Sequence, residues 1–547
     1  MSRDPLSSGL QDLFRAAARK DVSRRDLVKI AGAAALAAGI AGPITGQSAT
    51  AAQTDGTVFI YASGQDISNL DPHTGNDYSI TFGQRAVYDS LMRFEGIPLV
   101  PKPLVATDAT GNADASIWTI KLDERAVFAD GSAVDAEVVK WNITRLLTKN
   151  KGVAWMFTDV MTPEGVVVVD PLTVEITLSK PFAPFDLTLP WIFLANPALV
   201  AENAGSDDGE TWLIDHAAGS GPYEIGRWEP GNLYEFLRRE DYWYTTEGVT
   251  APIDTFIWRI VRESSTKRIA MEASEVHFTD TLTLEDVVAL GEVEGLTINE
   301  ASSWSPCAVK LNNQVGPTAD INVRKALTAA FDFDSVIAAV SGRGETLAGP
   351  LPSRLEPWHK TDLPVITHDM EAAKTFLAAS AFPEGFDLEY VYVTGLAIEE
   401  QIGLIMLEKL AELNINLTLT PLVWPDMVAR ASTPETAPGM MAVYYGVSYL
   451  DPDAILWPCF HSSQAGSWSN ASQYKNPEFD TILEDARSTS DPAARKALYD
   501  QAQTILVENA VEIFVYLEIP NDAWVSALGP EGLEGAGSDI RTVELAS

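Results

Sequence analysis

Strand signals and helical periodicity interleave along this chain from Thr57 to Asn509, with no internal repeat and no low-complexity linker. That alternation specifies an α/β fold class. A length of 547 residues exceeds what one core sustains, roughly 250 to 300 residues, so at least two domains and a cleft are expected. The missing linker implies that the domains are interleaved in the chain rather than strung as beads. β-Branched and aromatic runs predict strands at residues 57–62, 116–122 and 172–178, and a clean alternation predicts another at 414–420. Spacing of apolar residues predicts helices from Asp135, over 323–340, over 399–413 and over 493–509.

The first 51 residues read as an address. Ser23-Arg24-Arg25-Asp26-Leu27-Val28-Lys29 precedes an uncharged stretch, residues 30–44, rich in Ala and Gly, and then Ala49-Thr50-Ala51. A cationic region, a short apolar region and a small-residue cleavage site form the order of a signal peptide. The Arg24-Arg25 pair resembles the twin-arginine export signal, which implies a protein exported already folded. No Cys follows the apolar region, so a protein free in a periplasm is expected rather than a lipoprotein.

The chain carries 76 acidic and 38 basic residues, a formal charge of -38, which excludes the basic footprint that nucleic acid requires. Only Cys307 and Cys459 are present, so there is no disulfide framework and no CxxC motif. Their long separation favours two buried thiols over one bridge, a choice that geometry decides.

Several segments, in order, resemble the peptide/nickel/opine family of solute-binding proteins of ABC importers, known as bacterial extracellular solute-binding family 5. They are Leu70-Asp71-Pro72-His73 with Tyr88-Asp89-Ser90-Leu91; Trp118 to Leu122 followed by Val127-Phe128-Ala129-Asp130-Gly131-Ser132; and Gly219-Ser220-Gly221-Pro222-Tyr223 with Asp241-Tyr242-Trp243. Asn312, Val323-Arg324-Lys325-Ala326-Leu327 and Tyr449-Leu450-Asp451-Pro452-Asp453 complete the series. Physically most of these are scaffold residues: Asp130-Gly131 suits a turn with positive φ, and Arg324 a structural ion pair. The resemblance implies a two-lobed periplasmic binding protein type II (cluster C) fold of the α/β class, with a hinge and an extra subdomain. It assigns residues 1–51 to the signal peptide, 52–102, 215–305 and 515–547 to lobe I, 103–214 to the extra subdomain and 306–514 to lobe II. It implies a monomer that captures a peptide or other small solute between the lobes and delivers it to the permease subunits, with no cofactor and no catalysis.

A solute cleft needs aromatic walls and a few convergent polar groups. By position relative to the family motifs, the ligand-binding candidates are Tyr78, Ile80, Trp155, Trp304, Tyr445, Ser448, Tyr449 and Asp451. In the dipeptide-binding branch an Asp three residues before the Asp-Pro pair holds the α-ammonium; here that position is Ser448, which disfavours ordinary free-amine dipeptides. His461, in the loop after Asp-Pro, is the metal-ligand candidate that the nickel branch suggests. An Arg of that branch stands here as Gly152, which weakens the match. An exported enzyme is the competing reading, but the chain has no HExxH, no G-x-S-x-G elbow, no P-loop and no dinucleotide fingerprint.

Overall fold

A computed structural model describes residues 56–75, 77–244, 251–533 and 539–545. The expected signal peptide lies outside the described residues. Among those described, no helix is long and apolar enough to cross a membrane.

Two large sheets organise the chain. The first has seven strands in the order Leu296–Ile298, Ala523–Val525, Phe278–Thr279, Val58–Ser63, Thr255–Ile260, Leu233–Arg238, Tyr223–Glu229. Val58–Ser63 runs parallel to both of its neighbours, and the other pairs are antiparallel. Period-two alternation divides its side chains: Phe59 and Tyr61 enter one apolar cluster with Phe82, Phe256 and Trp258, while Ile60 and Ala62 meet Met271 and Leu290 on the other face.

The second sheet has six strands in the order Gly344–Thr346, Glu512–Glu518, Pro306–Leu311, Met440–Tyr444, Phe386–Val393, Ile415–Leu422. Helices cover both of its faces. Cys307, Val309 and Leu311 pack with Leu327, Ile402 and Met406; Ala308 points the other way and joins a cluster with Phe460, Leu483 and Tyr499. Cys459 belongs to that second cluster, so the sheet separates the thiols and both are free and buried. Burial pushes Cys459 up to about 12 and Cys307 well above the usual thiol range. Native protein at pH 8 is therefore expected to resist a thiol reagent such as 5,5′-dithiobis(2-nitrobenzoate), and to release two equivalents of colour only after guanidinium unfolding. Reaction of the native protein would contradict this packing.

A smaller antiparallel sheet, Ala106–Gly111, Ile117–Leu122, Thr173–Thr177 and Val166–Asp170, carries the helix Ala136–Lys149. Trp118, Ile120, Val174 and Ile176 pack against Val139, Ile143 and Leu146, and Tyr449 and Ala454 join the same cluster. The Asp130-Gly131 turn adopts the expected positive φ, 81° at Gly131, and Asp130 accepts from Ser132 N–H.

Most predicted elements are present. The helix expected over 323–340 is two, Ile321–Ala330 and Phe333–Ala339, because Asp332 leaves helical geometry and caps the second by accepting from Ser335 N–H. Arg324 is structural, as expected, but not through an ion pair. Its guanidinium donates to the carbonyl oxygens of Thr318, Ala319, Asn509 and Ala510 at 3.0–3.1 Å, and burial lowers it to about 10.

The motif residues are the clamps of this fold. Asp89 accepts from Ser220 Oγ, Tyr242 OH, Trp243 Nε1 and Arg541 Nη1 at 2.7–2.9 Å, which ties three distant segments to one buried carboxylate. Asp71 takes a two-pronged contact of 2.7 and 2.8 Å from Arg145 of the 136–149 helix. Gly219 and Gly221 have no side chain because a Cβ at either position would collide with the backbone of Val87.

The chain passes from the first sheet to the second at residues 299–305 and returns at 519–522. Arg343 fastens the two crossings together. Its Nη2 donates to Asn299 O at 2.6 Å and to Pro520 O at 2.8 Å, and its Nε to Asn521 Oδ1 at 2.7 Å. The cleft opens beside these crossings.

Candidate functional site: an aromatic cleft between the sheets

Three cavities of about 300, 580 and 300 Å³ lie side by side and share lining residues. Trp191, Gly446 and Ser448 belong to both the first and the second; Tyr78, Leu99 and Trp304 belong to both the first and the third. They form one continuous groove.

Local structure explains how each wall is placed. Asp77 caps the helix Tyr78–Val87 by accepting from Ile80 N–H, and the i, i+3, i+7 spacing turns Tyr78, Thr81 and Arg85 towards the groove. The Tyr78 ring is 45% exposed there. Arg85 lies between Phe94 and Trp191, its guanidinium carbon 5.4 and 5.3 Å from the two rings, and burial lowers it to about 10. Trp304 sits on the crossing that enters the second sheet, with the guanidinium carbon of Arg354 4.7 Å from the indole centroid. Trp191 donates from Nε1 to Ser448 O at 2.7 Å, a bond that spans the groove. Trp155, 42% exposed, and Trp468 flank the widest cavity.

Tyr445 lines that cavity from below, only 4% exposed. Its hydroxyl donates to Glu512 Oε1 at 3.0 Å, Glu512 pairs with Lys310 Nζ at 2.6 Å, and Lys310 lies 4.5 Å from the Tyr445 ring centroid. A buried ion pair thus fixes the ring.

Six of the residues expected from sequence meet in the groove: Tyr78, Trp155, Trp304, Tyr445, Ser448 and Tyr449. Three do not. Ile80, on the next face of its helix, is buried against Gly75. Asp451 is wholly buried, held by Arg495 at 2.7 Å and by the Tyr499 hydroxyl at 3.1 Å. His461 is stacked on Trp457 with centroids 3.7 Å apart, its Nδ1 2.7 Å from Ser463 Oγ, and burial lowers it below the usual imidazole range. Asp453 is also committed, to Arg487 at 2.7 and 2.9 Å and to the Tyr449 hydroxyl at 2.7 Å. Among the described residues no group of three or more His, Cys, Asp or Glu side chains is arranged to hold a metal ion.

The family model for bacterial extracellular solute-binding proteins, family 5 (middle region), matches residues 100–467. The chain belongs to this family. The probable D,D-dipeptide-binding periplasmic protein of Escherichia coli (strain K12) is 27% identical to it over 469 residues, covering 84% of this chain and 88% of that one. The glutathione-binding protein of Pectobacterium atrosepticum is 25% identical over 476 residues, covering 84% and 88%. In structure the chain is similar to the periplasmic binding protein DppA of Helicobacter pylori in complex with the peptide STSA, with a TM-score of 0.77, 20% identity and coverage of 90% and 98%. It is also similar to the agropinic acid complex of AgaA from A. tumefaciens R10, with a TM-score of 0.73, 19% identity and coverage of 89% and 98%. These likenesses establish the two-lobed fold.

Within this family 5 chain, sequence reasoning missed Trp191, Arg85, Phe94 and Trp468 as cleft residues. Arg85 was within reach, since it follows Tyr78 by seven residues on a helix. Trp191 follows a Pro in a loop, and no local period marks it.

Proposed function

We propose that this protein is the substrate-binding subunit of an ABC importer, capturing a peptide-like or other small solute between its two lobes and delivering it to permease subunits. The observation that carries the reading is the continuous groove walled by Tyr78, Trp155, Trp191 and Trp304 beside the two crossings between the sheets. Rigid aromatic faces provide contact area at low entropy cost. Residues contributed by both sheets to one groove are the geometry in which closure about the crossings buries a solute, and a solute shifts that equilibrium by its differential affinity for the two forms. Relatives whose names give dipeptide and glutathione as their solutes point to the same ligand class.

Among the described residues no histidine lines the groove, so the serines described there have no imidazole base beside them, which supports binding over catalysis. The Arg24-Arg25 pair and the small-residue site at 49–51 support export of a folded protein to the periplasm. Thermal-shift screening of residues 52–547 against dipeptides, N-blocked peptides, opines, oligosaccharides and nickel chelates tests the reading. A solute-specific rise in Tm is expected. Turnover of a panel compound without such a rise would favour the exported enzyme instead.

A further inference from the structure

The third cavity of the groove, about 300 Å³, is lined by four aromatic residues, Tyr78, Phe278, Trp304 and Trp524, and by the carboxylates of Asp522 and Glu531. Asp522 lies on the return crossing between the sheets, directly before the strand Ala523–Val525. Its backbone is fixed, since its carbonyl accepts from Asn299 N–H at 3.0 Å. Its side chain is nearly without partners: among the described residues the one hydrogen bond it accepts is a 3.3 Å contact from Thr281 N–H.

The neighbouring acid shows the contrast. Asp280 accepts from Tyr61 OH at 3.0 Å, Ser63 Oγ at 2.7 Å, Thr281 Oγ1 at 3.0 Å and Lys267 Nζ at 2.9 Å. Lys267 cannot also serve Asp522, because its three N–H groups are taken by Asp280 Oδ1, Asp280 O and Thr281 Oγ1, each at 2.9 Å. Burial, then repulsion from Asp280, raises Asp522 to about 7, with Glu518 adding to the rise and Lys267 opposing it. Its charged form is therefore held at a cost to the fold, as at a site kept for a ligand rather than for stability.

We propose that Asp522 anchors a positively charged group of the solute, an ammonium or alkylated ammonium, inside the cage formed by Tyr78, Phe278, Trp304 and Trp524. The chemistry is that of a desolvated cation: a carboxylate supplies charge, and ring faces supply their negative quadrupole. Phe278 and Trp524 stack at 5.8 Å with an interplanar angle of 7°, which makes one continuous wall of the cage. Arg354 also lines the cavity but is turned to the Trp304 ring and donates to Ser302 O, which holds its charge to one side. A solute lying along the groove therefore has its cationic end at Asp522 and its remainder towards Trp191.

This inference rests on the solute-binding reading for the choice of groove, and the test separates the two. Tryptophan fluorescence of residues 52–547 is titrated at pH 8 with phenethylammonium chloride and with 2-phenylethanol, probes of similar size that differ in charge. The wild-type protein is expected to bind the ammonium at least tenfold more tightly, and Asp522→Asn to bring it down to the level of the alcohol while its Tm stays the same or rises. Equal affinities of the two probes for the wild type overturn the proposal whatever the variant does, and so does a preference that survives in Asp522→Asn. In parallel, retention of a random tripeptide library by native mass spectrometry reports on the peptide-like solute alone. Its failure leaves the probe result standing, and the reverse holds equally.

Discussion

Trp304→Ala is expected to weaken solute binding by about 2 to 4 kcal/mol, a factor of roughly 30 to 1000, the range for truncating an aromatic anchor at the centre of an interface. The residue is placed for that role, since it joins the first and third cavities and stands on the crossing between the sheets. Its loss removes wall area from both halves of the groove. Because Trp304 is only partly buried against the second lobe's core, the variant is expected to keep its fold, with its Tm close to that of the wild type. Calorimetric titration with the solute found by screening measures the effect; an affinity within threefold of wild type would remove Trp304 from the site. Tyr445→Ala makes the contrast. That ring covers Lys310 and its hydroxyl serves Glu512, so its removal exposes a buried ion pair and lowers stability as well as affinity.

Asp451→Ala should leave the intrinsic solute affinity of the folded protein unchanged and destabilise it by about 3 to 5 kcal/mol, the range for breaking a buried pair from one side. Arg495 would be left without its carboxylate between Trp358 and Tyr499, with only the Ala486 carbonyl and the Tyr499 hydroxyl to serve its guanidinium. Chemical denaturation at pH 7 reads the loss. Asp451→Ala combined with Arg495→Met should recover much of it, because no unpaired charge then remains buried. A large loss of affinity in stable Asp451→Ala protein would instead return Asp451 to the ligand.

These two residues mark where the sequence was legible. Order and type of elements followed from periodicity: the alternation at 414–420 is the strand Ile415–Leu422, and the apolar spacing at 493–509 is the helix Pro492–Glu508. The motifs were read as scaffold, and Asp71, Asp89, Asp453 and Gly221 all act as clamps or close approaches. Tyr78 was reached through its position relative to the family motifs, since no helix was expected over the residues that form Tyr78–Val87. Asp451 and His461 were not separable from ligand groups by type, because an Asp or His facing a cleft and one facing a buried arginine or indole look alike in one dimension. Trp191 and Asp522 were invisible for a related reason. Each reaches the groove through a crossing or loop whose direction is set by the sheets, more than 200 residues from some of the side chains it faces.

Native mass spectrometry of the protein, purified from its source cells beside a Trp304→Ala counterpart, tests capture in this cleft most directly. The wild type is expected to carry a small solute that collisional activation releases, and the variant to appear at its bare mass. A bare wild-type mass, or a solute held equally by both proteins, would contradict capture between the lobes at Trp304.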